Sequence, residues 1–250
     1  MKKISFTSVL LITTLVVTFF ISKRNHKIEN TESPTQTLNF QSDAFNFQPE
    51  TPSPKHPIPN LIHILDSDNS ILVDLKYATT DNFTGMVLYE GFEGAFLQPD
   101  VAQMLAVAHH YLKSLHSGLR LLVYDAVRPL SVQRTMWERV KDTPYHRYVA
   151  HPDRLSLHNY GAAVDLTIAD SLGQPLDMGT PFDFFGRAAG ISDEQELIRQ
   201  GILNLQQVQN RQLLRQVMHH AGFRSISGEW WHFNACSLQE AKQRYQLIEK

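Results

Sequence analysis

Apolar residues are distributed along this chain in three regimes. From Ile4 to Ile21 they dominate, between Lys2-Lys3 and Lys23-Arg24. From about Asn25 to Asn60 they thin out among Ser, Thr, Asn, Gln and Pro, with Pro52, Pro54, Pro57 and Pro59 close together. From Leu61 onward they recur at helix and strand periods. The opening run predicts an export signal or a membrane anchor. Phe19, Phe20 and Ile21 stand where a cleavage site wants small residues, and no lipobox cysteine follows, so an uncleaved anchor fits slightly better. The polar stretch lacks the apolar surface needed to order itself and predicts a tether. The expected organisation is therefore residues 1–24 as signal or anchor, 25–60 as linker and 61–250 as one folded domain.

Within that domain, Ile71 to Leu75 predicts a strand, followed by a polar, aromatic loop through Gly85. Pro99 to His116 predicts a helix, with Pro99 in its first turn, Gly118 as its stop, and Met104, Leu105, Ala108, Tyr111, Leu112 and Leu115 as its apolar face. Leu119 to Tyr124 predicts a buried strand that delivers Asp125 and Arg128. Ser131 is expected to cap the next helix, and residues 142–157 to form a polar loop. In the strand from Ala163 to Ile168, alternation puts Val164, Leu166 and Ile168 on one face and Asp165 on the other. Residues 175–200 carry no clear period. A helix from Leu205 to Ala221 and a short strand at Phe223 to Ile226 follow, then Ser237-Leu238-Gln239-Glu240 as a capping box for a last helix. Helices and short strands mix without βαβ alternation, so the predicted class is α+β.

Composition narrows the function. The chain has 250 residues, is 42% hydrophobic, and carries 23 basic against 25 acidic residues, so nothing suggests a nucleic-acid partner. A single cysteine, Cys236, excludes an internal disulfide framework and reads as core filler. His109, His110, His219 and His220 fall on predicted helices and read as surface or capping residues. No His-Glu-x-x-His helix, Gly-x-Ser-x-Gly elbow, Ser-x-x-Lys or Gly-x-Gly-x-x-Gly pattern occurs.

Two stretches carry chemistry. Ser156-Leu157-His158-Asn159-Tyr160-Gly161-Ala162-Ala163-Val164-Asp165 offers an imidazole and a carboxylate seven residues apart, and Glu229-Trp230-Trp231-His232 offers a second pair three apart. Two His and one Asp form a three-ligand set that suits one catalytic zinc ion per chain and leaves a position for water. Glu229 is then a candidate base. In a regular strand Glu229 and His232 would face opposite ways, so a bulge, or a strand beginning after Glu229, is required. Arg128, held before Pro129, could stabilise an oxyanion, with Asp125 orienting it. Bland readings stand beside each: a hydrogen-bonded His158–Asp165 pair, a surface Glu229, and a structural Asp125–Arg128 salt bridge.

These motifs, with Lys76-Tyr77-Ala78-Thr79, Asp81-Asn82-Phe83-Thr84-Gly85, Tyr124-Asp125-x-x-Arg128-Pro129 and Met178-Gly179-x-x-Phe182-Asp183, resemble the zinc D-alanyl-D-alanine dipeptidases of the VanX type. Their wider superfamily shares its fold with the hedgehog signalling domain. The resemblance spans about residues 61–235. It implies a small, mostly antiparallel sheet flanked by helices, zinc on His158, Asp165 and His232, Glu229 as base, Arg128 at the transition state, and Tyr77, Ser156 and Asp183 around a small dipeptide. It implies hydrolysis of D-Ala-D-Ala. A D,D- or L,D-carboxypeptidase on longer cell-wall peptides and a non-catalytic zinc-stabilised binding module are the alternatives. The opening apolar run places the expected activity outside the cytoplasm, with membrane contact only through residues 1–24 where these stay uncleaved.

Overall fold

The computed structural model describes residues 61–90 and 94–250, so the expectations for residues 1–24 and 25–60 lie outside the described residues. Strand β1 (Ile62–His63) leads into the short helix α1 (Ile64–Ser67) and then β2 (Leu72–Val73). Strand β3 (Phe96–Leu97) pairs antiparallel with β1 and precedes helix α2 (Pro99–Leu115). Next come β4 (Arg120–Asp125), α3 (Leu130–Val140), β5 (Ala163–Ala169), α4 (Glu194–Arg199) and α5 (Leu205–His220). The chain then runs through β6 (Arg224–Ser225), β7 (His232–Asn234) and α6 (Leu238–Arg244). Among the described residues no helix is long and apolar enough to cross a membrane.

The main sheet has the order β2-β4-β5-β7-β6, antiparallel except for the β2–β4 pair. This is the small, mostly antiparallel α+β arrangement expected. All seven residues of β5, the central strand, are buried. Helices α2 and α5 pack against each other and against the sheet. Val101, Leu105, Ala108 and Leu112 form the buried stripe of α2, and Val208, Leu214, Val217 and Met218 that of α5. Each fully buried Leu or Val on these stripes contributes about 2 kcal/mol of hydrophobic stabilisation.

Several local expectations are corrected. The apolar face of α2 is rotated towards Val101, which leaves Leu115 exposed. His109 lies on that inward face and is fully buried, whereas His110, His219 and His220 are exposed. Ser131 does not cap α3. The helix starts at Leu130 after Pro129, and the N–H groups of Leu130 and Ser131 donate to the carbonyls of Ile248 and Glu249. Backbone from a segment far along the chain does the work of a side-chain cap. Residues 175–200 contain helix α4, whose six residues are too few to show a period. The 142–157 stretch is broken by short 3-10 turns at Pro144–Tyr148 and Pro152–Arg154. Cys236 is buried in the core, and burial pushes its thiol up to about 11.

Candidate metal centre and pocket

Sheet register builds the site. Asp125 on β4 sits opposite Asp165 on β5, and Asp165 sits opposite His232 on β7. Directly opposed residues share a face, so three adjacent strands present Asp125, Asp165 and His232 in one row. Val164, Leu166 and Ile168 take the other face, fully buried in the main core. His158 arrives from the 3-10 turn Leu157–Tyr160. Gly161 ends that turn at φ 64, where a Cβ would come within 3.0 Å of Val127 Cγ2. Glycine alone meets both demands and lets the chain reverse into β5.

The three donor atoms converge. Asp165 Oδ1 is 2.9 Å from His232 Nδ1 and 3.3 Å from His158 Nε2, and the two ring nitrogens are 3.2 Å apart. His158 Nδ1 donates to the Ala126 carbonyl at 2.6 Å, which turns the lone pair of Nε2 inward. His232 Nε2 donates to Asn234 Oδ1 at 2.8 Å, which turns the lone pair of Nδ1 inward. Two lone pairs and a carboxylate oxygen therefore face one another, an arrangement that repels unless a positive charge lies between them. A tetrahedral cation with bonds of about 2.0 Å separates its ligands by about 3.3 Å, close to the edges of this triangle. The donor set fits a small divalent cation. Without one, burial opposes a proton on His232, but the hydrogen bond and charge of Asp165 carry that imidazole up to about 9. Burial alone would raise the Asp165 carboxyl, yet His158 and His232 hold it well below the usual range.

The remaining predicted residues surround this triangle. Tyr77, Arg128, Ser156, Asp183 and Glu229 line one pocket of about 300 Å³ with His158, Asp165 and His232. Glu229 precedes β7, so the strand begins late enough for its carboxylate to lie 4.0 Å from His232 Nδ1. Burial, reinforced by Asp165 and opposed by His232, raises the pKa of Glu229. Arg128 donates through Nε to Asp125 Oδ2 at 2.9 Å and through Nη2 to Asp165 Oδ2 at 3.3 Å. Its backbone N–H donates to the His158 carbonyl. Asp125 is fully buried behind it and also accepts from the Tyr89 hydroxyl. Asp165 thus turns one oxygen to the metal position and the other to Arg128.

Asp183, at φ 58, accepts from the Tyr77 hydroxyl at 2.8 Å. Burial first, then the charges of Asp165 and Glu229, raises the Asp183 carboxyl well above the usual range. Its charge is therefore costly until a cation pairs with it. Ser156 caps the His158 turn, accepting from His158 N–H at 3.3 Å, so its own hydroxyl proton is left to donate. Sequence reasoning missed Asn234 and Gln133. Asn234 carried a signal, since residues two apart on a strand share a face with His232; Gln133 carried none.

Residues 64–249 match the family model of peptidase M15, described as D-ala-D-ala dipeptidase. The D-alanyl-D-alanine dipeptidase of Escherichia coli (strain K12) is 35% identical over 161 residues, 64% of this chain and 77% of that one. That of Enterococcus faecalis (strain ATCC 700802 / V583) is 30% identical over 176 residues, 64% of this chain and 83% of that one. A solved vancomycin-resistance D,D-dipeptidase, VanXYg in complex with a D-Ala-D-Ala phosphinate analogue, covers 73% of this chain and 68% of its own at 20% identity. Its TM-score of 0.31 is too low to bear on the fold.

Proposed function

Since this chain belongs to the D-Ala-D-Ala dipeptidase family of metallopeptidases, we propose that it hydrolyses D-alanyl-D-alanine to two D-alanine with one zinc ion held by His158, Asp165 and His232. The observation that carries this reading is the inward-facing triangle of those three residues with the Glu229 carboxylate beside it in one pocket. Two imidazoles and one carboxylate are a ligand set that zinc favours. When bound, zinc supplies Lewis acidity and brings the pKa of water towards neutrality.

The chain's own groups do the rest. Glu229, raised by burial, takes a proton from the attacking water and returns it to the departing amine. Arg128, fixed by Asp125 and Asp165, turns a guanidinium proton towards the oxyanion of the tetrahedral intermediate. Asp183, steadied by Tyr77, pairs with the dipeptide ammonium, and Ser156 donates to its carboxylate. We infer that this activity lies outside the cytoplasm on the strength of the basic-flanked apolar run at Ile4 to Ile21, where it would consume dipeptides released from cell wall.

The test is a dipeptide panel of both stereochemistries, with a pentapeptide stem alongside, on zinc-loaded protein. Release of D-Ala from D-Ala-D-Ala is expected. Turnover of the pentapeptide alone would point to a carboxypeptidase, and zinc that stabilises the fold without any turnover to a binding module. Fractionation of cells expressing the full chain tests the location.

A further inference from the structure

Gln133 lies near the start of α3, fully buried, and both ends of its amide are engaged. Its Oε1 accepts from Arg128 Nη1 at 3.1 Å, and its Nε2 donates to the Ala150 carbonyl at 2.8 Å. The amide has only one workable orientation. Reversed, it would set NH2 against a guanidinium and oxygen against a carbonyl.

The partners of Arg128 show what this bond does. A guanidinium has five N–H groups. Nε–H goes to Asp125, Nη2 lies 2.7 Å from Asp125 Oδ2 and 3.3 Å from Asp165 Oδ2, and one proton of Nη1 goes to Gln133. The Tyr89 hydroxyl is a further hydrogen-bond partner of the guanidinium, and Arg128 lines the pocket beside Asp165 and Glu229. Asp125 grips one edge of the planar group, and the Tyr77 ring lies against it, 5.2 Å from centroid to Cζ. Gln133 grips the far end, at Nη1, and so sets the orientation of the guanidinium in the pocket. Through Ala150 it also ties the guanidinium to the pocket wall, where Tyr148, Val149, Ala150 and Leu155 lie.

We propose that Gln133 is a positioning residue for hydrolysis, acting through Arg128 Nη1 by holding the guanidinium in the orientation it presents to the oxyanion. This rests on the dipeptidase reading above. Gln133→Met, close in shape and without an acceptor, is compared with Gln133→Glu, which keeps the acceptor for Nη1 and loses the donor to Ala150. Each is made in the wild-type and in the Arg128→Lys background of the full, zinc-loaded chain. D-Ala release gives kcat and KM, and thermal melting reports stability.

Gln133→Met is expected to lower kcat roughly tenfold with KM within about twofold, and to bring no further loss in the Arg128→Lys background, as coupled residues do. Gln133→Glu is expected to keep most of the wild-type kcat. The positioning role is overturned if the loss caused by Gln133→Met persists undiminished in the Arg128→Lys background, if the methionine and glutamate variants lose activity alike, or if neither does. Should Gln133→Met melt below the assay temperature, Gln133→Leu takes its place in the same cycle, and loss of folding in both while Gln133→Glu folds and is slow also overturns the role. A wild-type chain that binds zinc yet releases no D-Ala sinks the dipeptidase reading and this proposal together, whereas an active wild type with additive variants sinks the proposal alone.

Discussion

The lone pairs of His158 Nε2 and His232 Nδ1 and the Oδ1 of Asp165 must share a positive charge, and in the metal-free protein that charge is a proton. Burial opposes it, but Asp165 carries the His232 imidazole up to about 9. A metal arriving at pH 7 therefore has to displace that proton. The gap of about two units corresponds to about 2.7 kcal/mol, or an apparent affinity about a hundredfold weaker than that of the deprotonated site. Affinity should climb about tenfold per pH unit from pH 7 and level off near 9. Calorimetry of zinc binding in buffers of different ionisation enthalpy should show close to one proton released per metal at pH 7. The sign carries over to stability. A pKa raised by folding stabilises the metal-free domain fully below the unfolded value of about 6.5, and that contribution is lost as pH rises through about 9. Zinc binding with no proton release, and an affinity flat between pH 7 and 9 after correction for the competing chelator, would refute the reasoning.

Glu229→Gln should lower kcat roughly a thousandfold while metal content stays at the wild-type level, and a rate near wild type would remove Glu229 from the proton path. Asn234→Leu should weaken zinc binding by about 10- to 100-fold in a chelator competition, because His232 Nε2 loses its acceptor, whereas Asn234→Asp should restore binding. Equal affinities would show that Asn234 does not orient the ring. Burial, with Asp68 opposing, lowers the His109 imidazole to about 4, so the folded protein keeps it neutral where the unfolded chain protonates it. Stability should fall by up to roughly 3 kcal/mol between about pH 6.5 and 4, and His109→Leu should flatten that fall in urea titrations at several pH values. An unchanged slope would assign the acid sensitivity to other groups.

Much of this architecture was readable because it rests on local rules. Pro99 at the start of α2, the Ser237–Glu240 capping box, and the alternation of Val164, Leu166 and Ile168 against Asp165 each state their own geometry. The late start of β7 is one of the two ways the sequence left for Glu229 and His232 to share a site, the other being a bulge. What escaped depends on partners distant in sequence. Ser131 looks like a cap, but residues 248 and 249 supply the acceptors. His109 looks like a surface histidine until α2 is rotated by its packing against α5. Gln133 gains meaning only once Arg128 and Ala150 meet across it. The row of Asp125, Asp165 and His232 is a matter of strand register, which no single stretch encodes.

The bonds made by Ile248 and Glu249 have a consequence for biosynthesis. Ile248 donates to the carbonyl of Asn159, inside the turn that bears His158, while Ile248 and Glu249 receive the first N–H groups of the helix that bears Gln133. Both halves of the pocket thus wait for residues translated long after them. A nascent chain halted after His232 but before Ile248 has all three metal ligands already synthesised and lacks the two residues that hold both segments in place, so the pocket is latched only once Ile248 and Glu249 have emerged.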